Sequence, residues 1–208
     1  MAKHAKFSIP TSTVRTRRAY FDCKFGQLHV RTAFPATGGF DEGVTLICLH
    51  HSADSSRAFS RFLPEIADDR SVYAPDLPGC GESDPAPAMD YTNMAAAIVD
   101  LAKDLRLRQI DLLGMRFGAG VALELAAAHP ELVRRLVLVS APPVESLPII
   151  KQECLVMRSK AGVAEDNPQW AKDKLPKAKL LDVTDYADDL FDAAPKTLAK
   201  QIRDFLKP

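Results

Sequence analysis

The sequence lacks a surplus of either charge, because its 27 basic residues are matched by 27 acidic ones. A balanced chain has no electrostatic preference for a polyanion or an anionic lipid surface, so we expect neither nucleic acid nor a membrane as the partner. The sequence also lacks an apolar run of the roughly 18 residues that a membrane-spanning helix requires. The ordinary content of 47% hydrophobic and 26% charged residues predicts a globular chain with a substantial core.

Cysteine is scarce, with four residues in 208, and none of them forms a C-x-x-C pair or a zinc-ligand spacing. This pattern excludes a disulfide framework and a structural zinc site as the basis of the fold. Cys48 and Cys154 lie in apolar runs and are expected to be buried thiols. The first residues form no apolar segment typical of a secretion signal. We therefore expect a cytoplasmic protein with reduced cysteines, no metal and no cofactor.

Strand-like and helix-like segments alternate along the chain. Two β-prone runs, 18–25 and 27–34, are joined at Gly26 and predict an antiparallel hairpin. The pattern predicts further strands at 44–49, 70–74, 109–113, 136–139, 153–157 and 179–183, and helices at 56–67, 91–107, 119–128, 167–175 and 194–206. This order predicts a three-layer α/β/α sandwich with a mostly parallel, eight-stranded sheet. In such sheets ligands bind beyond the carboxyl ends of the strands.

The chain before Asp22 has no acidic residue and contains several lysines and arginines. Residues 1–17 show no clear hydrophobic period, and Pro10 interrupts them, so we expect a flexible basic arm there. The remaining 18–208 are expected to form a single domain. In the helix that begins near residue 91, Thr92 is the expected N-cap.

The stretch L-L-G-M-R-F-G-A-G, residues 112–120, follows an apolar strand and opens a helix of small residues. Gly114 and Gly118 flank Arg116 at both second neighbours, which is the spacing of the G-x-S-x-G strand–turn–helix elbow. Such a turn needs small neighbours, because strand and helix approach closely and the central residue is strained. The guanidinium of Arg116 stays protonated near neutral pH, so it cannot act as an acyl-accepting nucleophile.

The ordered set of motifs resembles the α/β-hydrolase fold superfamily over residues 18–206. His50 and His51 stand where that family often has His-Gly, and A-P-D-L-P-G-C-G-E-S-D follows the next strand at 74–84. The elbow comes next, and then H-P-E-L-V at 129–133 precedes another strand. The resemblance implies the α/β-hydrolase architecture. Only the short connection 142–148 stands where many relatives insert a cap, so we expect a lidless member.

The resemblance also implies a nucleophile at the elbow, an acid and a late histidine, in that order. Arg116 stands at the nucleophile position, Asp166 matches the acid, and no histidine follows His129. The loop where the histidine is expected reads D-Y-A-D-D, residues 185–189. The triad is therefore degenerate by resemblance, and a standard Ser-His-Asp mechanism is not expected. We expect a non-hydrolytic pseudoenzyme that binds an anionic small molecule, a carboxylate or phosphate, or a protein partner.

Three interpretations of Arg116 remain open at this stage. Placed at a helix N-terminus between Met115 and Phe117, its guanidinium can clamp an anion. It can instead pair with Asp166, Asp76 or Asp188 and fill a disused pocket. It can also turn outward into an interface, consistent with a third hypothesis in which the chain is a homo-oligomeric structural module.

Whether the chain is an enzyme is also open, because the same residues admit an unusual hydrolase of the esterase, thioesterase or lactonase kind. His51 is the candidate general base, acting on Cys80 or on an activated water, and Asp166 is the candidate acid. The candidate ligand-binding residues around them are Arg116, Met115, Phe117, His50, His51, Ser52 and Tyr186.

Overall fold

The computed structural model describes residues 14–36, 43–158, 168–183 and 190–207. The strands are β1 Arg15–Cys23, β2 Gly26–Phe34, β3 Leu46–Leu49, β4 Val72–Pro75, β5 Ile110–Met115, β6 Val133–Val139, β7 Glu153–Arg158 and β8 Ala178–Asp182. The helices are α1 Leu63–Ile66, α2 Tyr91–Asp104, α3 Phe117–Ala128, α4 Pro168–Lys174, α5 Leu190–Ala193 and α6 Pro195–Leu206, and a 3₁₀ turn spans Ser56–Phe59.

The eight strands form one sheet in the order β1-β2-β4-β3-β5-β6-β7-β8. β1 and β2 pair antiparallel, β2 also pairs antiparallel with β4, and all the other neighbours are parallel. The predicted architecture is therefore confirmed. The sheet order changes direction between β3 and β5, so the loops that follow these two strands open beside each other at the carboxyl edge.

Helices cover the central strands on both faces, which is why most residues of those strands are apolar. One core cluster joins the sheet to α2, α3 and α4, through residues such as Ile98, Val121 and Trp170. The other joins it to α1, α5 and α6, through residues such as Phe62 and Ile202. β3 is buried at every position, as expected for a strand between two helical layers.

Several predicted boundaries are corrected by the structure. β1 begins at Arg15, so residues 15–17 belong to the sheet and not to the predicted arm; their main chain pairs with 32–34 of β2, and this pairing does not depend on polar side chains. The other arm residues, 1–13, lie outside the described residues. The predicted helix 56–67 is divided into the 3₁₀ turn and α1, because Pro64 fits only the first turn of a helix.

The N-cap of α2 is Asp90 and not the predicted Thr92. Asp90 has extended backbone angles, φ −124° and ψ 165°, and its Oδ1 accepts the main-chain N–H of Asn93 at 2.7 Å. A cap must lie outside the helix while its oxygen reaches an orphan N–H group. The helix ends at Asp104, before Arg106, whose φ of 55° is incompatible with a further helical turn.

Candidate functional site

The turn between β5 and α3 has the geometry of a strained elbow. Arg116 lies at its tip with φ 49° and ψ −112°, outside the backbone regions that residues other than glycine ordinarily occupy. A Cβ atom at Gly118 would lie 2.5 Å from the carbonyl oxygen of His50, and one at Gly114 would lie 2.6 Å from the main chain of Ala119. Both glycines are therefore required by the close approach of α3 to β3 and β5.

A cavity of about 300 Å³ opens at this elbow, at the carboxyl edge of the sheet. Its lining is His51, Ser52, Tyr91, Arg116, Phe117, Ser140 and Pro142. The structure therefore brings together four of the candidates from the sequence: His51, Ser52, Arg116 and Phe117. Met115 is not among the lining residues, and its partly buried side chain packs against the core on the α1 and α6 face.

Inside this cavity, the ring of His51 contacts the main chain of the elbow. Its Nδ1 accepts the main-chain N–H of Phe117, with 3.5 Å between the two nitrogens. In α/β-hydrolases the N–H that follows the elbow tip is one of the donors that stabilise the oxyanion. Here that donor is directed toward a histidine ring of the same chain, at the long end of hydrogen-bond distance.

His50 is buried and lies outside the lining of the elbow cavity, and it links two loops of the chain. It is fully buried, its Nδ1–H donates to the carbonyl oxygen of His51 at 2.6 Å, and its Nε2 accepts the N–H of Leu77 at 2.9 Å. Burial lowers the pKa of His50, which keeps the ring neutral, as this pair of bonds requires. With both nitrogens engaged, the ring fixes the loop after β3 to the loop after β4.

Cys80 does not have the surroundings of a nucleophile. Only 7% of the residue is exposed, and its side chain belongs to the core cluster with Leu77. Burial raises the pKa of the Cys80 thiol, whereas a reactive cysteine needs a lowered one. Cys80 is also absent from the lining of the elbow cavity. The pairing of His51 with Cys80 therefore receives no support from the arrangement of these residues.

Asp76 stabilises the glycine-rich loop after β4. Its Oδ1 accepts the N–H of Ser56 at 2.6 Å, and its Oδ2 accepts from the N–H of Glu82 and from His29 Nδ1, both at 2.9 Å. Burial alone would raise the pKa of this carboxyl, but the hydrogen bonds from Ser56, Glu82 and His29 outweigh it, so the pKa is lowered. Both oxygens of this carboxylate accept hydrogen bonds, and they thereby join β2, the 3₁₀ turn and the loop.

Three lining residues were not among the candidates from the sequence. Ser140 and Pro142 directly follow β6, so the rule that ligands bind at carboxyl ends of strands could have identified them. Ser140 has a φ of 46° and donates its N–H to the carbonyl oxygen of Met157 at 3.0 Å. Tyr91 comes from the start of α2, and its ring lies 5.0 Å from that of Phe117. No local signal in the sequence points to Tyr91.

The remaining candidates, Asp166 and Tyr186, and the alternative partner Asp188 lie outside the described residues. Within the described ranges, no group of three or more His, Cys, Asp or Glu side chains is placed to hold a metal ion. Among the helices that the structure describes, none combines the length and the apolar character needed to span a bilayer.

The fold and the elbow define an α/β-hydrolase fold protein. Residues 44–184 match the model of the family described as alpha/beta hydrolase fold, and the chain belongs to this family. Among its relatives, 2-hydroxymuconate semialdehyde hydrolase from Pseudomonas sp. (strain CF600) is 40% identical over 115 residues, which cover 51% of this chain and 39% of that enzyme.

A second relative, pyrrolizixenacetamide deacetylase from Xenorhabdus hominickii, is 33% identical over 102 residues, which cover 48% of this chain and 38% of that protein. The chain thus spans less than half the length of these relatives. Among solved structures, a CIB-like hydrolase from Thermoplasma acidophilum superimposes with a TM-score of 0.79 at 19% identity, covering 93% of this chain and 98% of that one. Naproxen esterase from Bacillus subtilis superimposes with a TM-score of 0.78 at 15% identity, covering 93% of this chain and 92% of that one.

Proposed function

We propose that this chain is a non-hydrolytic member of the α/β-hydrolase family that binds a small anion, a carboxylate or a phosphate, in the elbow cavity. The observation that carries the proposal is Arg116 at the strained tip of the turn, where a family hydrolase presents its nucleophile. A guanidinium cannot form an acyl intermediate, but it is well suited to bind an oxyanion through paired N–H donors.

The surroundings of Arg116 favour negative charge. The elbow tip is the N-cap of α3, a helix of 12 residues, whose first N–H groups and dipole attract anions. The hydroxyls of Ser52, Ser140 and Tyr91 lie in the same lining and can donate further hydrogen bonds. No aspartate or glutamate occurs among the described lining residues of the cavity.

Two further features argue against turnover. The N–H of Phe117 is engaged by His51, so an oxyanion would first have to displace that ring. In addition, residues 185–189, where the resemblance places the histidine of the triad, contain none. Loss of two triad members leaves only the small residual rate that binding and oxyanion contacts provide.

The alternative is hydrolysis by water that His51 activates. It is favoured by the position of His51 in the cavity lining. The similarity to a semialdehyde hydrolase and a deacetylase supports it as well. The first proposal predicts anion binding that depends on Arg116 and no turnover. The second predicts turnover that depends on His51, so one set of variants can separate them.

The test combines an esterase assay with a binding assay. Wild-type protein should release p-nitrophenolate from p-nitrophenyl acetate no faster than an unfolded sample of the same protein. In NMR titrations with acetate, benzoate and inorganic phosphate, amide signals of 117–120 should shift saturably. Arg116→Gln should weaken that binding about tenfold or more, because a charge-assisted hydrogen bond is lost.

Arg108→Gln is the matched control, because Arg108 is exposed and lies outside the cavity lining. This variant should bind as the wild type does. Turnover that survives repurification and disappears in His51→Ala would establish the hydrolase and refute the proposal. Equal binding by wild type and Arg116→Gln would remove Arg116 as the anion-binding group.

A further inference from the structure

A cluster of three arginines lies on the N-terminal hairpin, away from the elbow. Arg18 of β1 and Arg31 of β2 are direct partners in the antiparallel register, so both side chains project from the same face of the sheet. Directly opposed residues have Cβ atoms about 4.5–5.5 Å apart, and like charges at such positions repel each other. Arg17 directly precedes Arg18 in β1. The hairpin thus concentrates positive charge in a chain whose net charge is zero.

Arg31 has an unsatisfied donor. Its Nε is buried and has no hydrogen-bond partner among the residues that the structure describes. Such a buried donor is unfavourable, because the group loses its bond to water and gains none in return. Described ion pairs elsewhere neutralise other arginines, such as Arg70 with Asp69, yet none of them includes Arg18 or Arg31.

A cavity of about 200 Å³ lies at this cluster, between the hairpin and the start of α1. Its lining consists of Thr16, Arg17, Arg18, Arg31, Thr32, Ser60, Leu63 and Pro64. These residues provide guanidinium groups and hydroxyls, and none of them carries a carboxylate. The cavity is smaller than the roughly 300 Å³ at which sites for drug-sized ligands begin, so a small group is the better fit.

We propose that this hairpin cavity binds a phosphate group. Phosphate matches the fork of a guanidinium, which donates two parallel N–H bonds to it, and threonine or serine hydroxyls can complete the coordination. A bound dianion would offset the repulsion between the directly opposed side chains of Arg18 and Arg31. The proposal uses none of the elbow residues, so it stands or falls separately from the proposed function.

Thermal unfolding in the presence of inorganic phosphate tests the site. A ligand that binds only the folded state raises the Tm with its concentration. Phosphate should therefore raise the Tm of the wild type more than sodium chloride does at equal ionic strength, and the rise should saturate. Arg31→Gln should reduce the affinity about tenfold or more, because a charged hydrogen-bond donor is removed. If that variant does not fold, Arg18→Gln, at an exposed position, provides the same test.

Two controls distinguish a specific site from general screening. Arg57→Gln removes an exposed arginine of the nearby 3₁₀ turn that does not line the cavity, so it should respond to phosphate as the wild type does. Arg116→Gln should also respond normally, because it changes the other cavity. Without phosphate, Arg18→Gln should be at least as stable as the wild type, since one member of the opposed pair is gone.

A sedimentation assay separates free phosphate from a phosphate headgroup. Vesicles of phosphatidylcholine are compared with vesicles that also contain phosphatidic acid. Saturable binding of inorganic phosphate without sedimentation on phosphatidic acid supports a soluble phosphate group, and sedimentation that Arg31→Gln abolishes identifies the headgroup as the source. No saturable effect of phosphate or phosphatidic acid on the wild type, or equal effects on the wild type and both Arg18→Gln and Arg31→Gln, would overturn the proposal.

Discussion

The imidazole of His51 faces the main-chain N–H of Phe117, with Nδ1 3.5 Å from the amide nitrogen. The first amide after the elbow tip therefore has an acceptor within the protein itself. Together with Arg116 at the tip, this contact leaves the turn with the shape of a catalytic elbow but without its usual vacant donor. The experiments below ask which properties of the turn come from its backbone and which from these two side chains.

A serine at the elbow tip is not expected to create an esterase. We predict that Arg116→Ser gives no burst and no turnover with p-nitrophenyl acetate, because residues 185–189 contain no histidine and His51 engages the N–H of Phe117. Combining it with His51→Gly should free the N–H group and still give no acyl adduct, as judged by intact mass spectrometry. An adduct in Arg116→Ser alone would indicate that His51 acts as the general base, and an adduct in the double variant would show that a base is available elsewhere.

The backbone strain at Arg116 can be measured separately from its side chain. A non-glycine residue held at φ 49° and ψ −112° loses about 1–3 kcal/mol relative to a relaxed one. Arg116→Ala keeps that strain and Arg116→Gly relieves it, while both remove the guanidinium. We predict that the glycine variant has the larger free energy of unfolding, by about 1 kcal/mol, in urea titrations.

Ala96→Gly, in the middle of α2, serves as the control for this comparison. There the change should lower the free energy of unfolding by about 0.5–1 kcal/mol, because glycine loses more conformational freedom in a helix. If glycine lowers the free energy of unfolding at both positions, relative to alanine, the elbow is not strained.

The two glycines in α3 should respond very differently to a methyl group. At Gly118 the added Cβ would lie 2.5 Å from the carbonyl oxygen of His50, which is main chain and cannot move away easily. At Gly120 it would lie 2.5 Å from the ring of Tyr91, a side chain that can rotate. We predict that Gly118→Ala destabilises by about 2 kcal/mol or more and Gly120→Ala by less than about 1 kcal/mol.

Chemical denaturation of the two variants measures the difference. Gly120→Ala should also change the binding of anions at the elbow, since Tyr91 lines that cavity. Equal losses of stability at the two positions would show that the α3 contact with β3 can relax.

The sequence was sufficient to predict the sheet and the elbow, because both depend on local patterns. Apolar runs identify buried strands, and the spacing of Gly114 and Gly118 around Arg116 identifies the turn. It could not place Tyr91, which enters the site through the packing of α2 against α3. It also gave no indication that Cys80 points into the core, because glycines on both sides are compatible with a turn of either orientation.

The buried ion pairs could likewise not be predicted from the pattern of apolar residues. Asp111 falls inside an apolar run and is fully buried, where Arg70 and Arg134 pair with its carboxylate at 3.3 and 2.6 Å. Its partners come from β6 and from the turn before β4, so only the tertiary fold brings them together. Such pairs position the amino ends of the strands, at the edge opposite the candidate site.

Thiol reactivity provides a direct test of the interpretation of Cys80. Among the four cysteines, Cys23 is partly exposed, whereas Cys48, Cys80 and Cys154 are buried. Burial raises the pKa of all three buried thiols, that of Cys154 to about 12. We predict that iodoacetamide modifies Cys23 in the native protein and reaches the other three only as fast as the protein unfolds.

Peptide mapping by mass spectrometry identifies the modified positions. The same protein in urea, where all four thiols should react readily, is the control. Rapid modification of Cys80 under native conditions would restore it as a candidate nucleophile.

The last prediction concerns the pH dependence of stability and rests on Asp76. Its hydrogen bonds from Ser56, Glu82 and His29 lower its pKa in the folded state despite burial. A carboxyl with a lowered folded-state pKa adds stability that is fully present above its unfolded pKa of about 3.9. That stability is lost as the pH falls through the folded-state value.

Asp76→Asn keeps the shape of the side chain and removes the charge. At about pH 7 it should therefore be less stable than the wild type by about 1–3 kcal/mol, because donors from three segments lose a charged acceptor. The difference should narrow as the pH falls below about 4, since the wild-type carboxyl becomes protonated as well. Urea denaturation across this pH range measures it. Asp104→Asn, at an exposed position on α2, should show no such change, and a difference for Asp76→Asn that stays constant with pH would mean that its hydrogen bonds do not favour the ionised form.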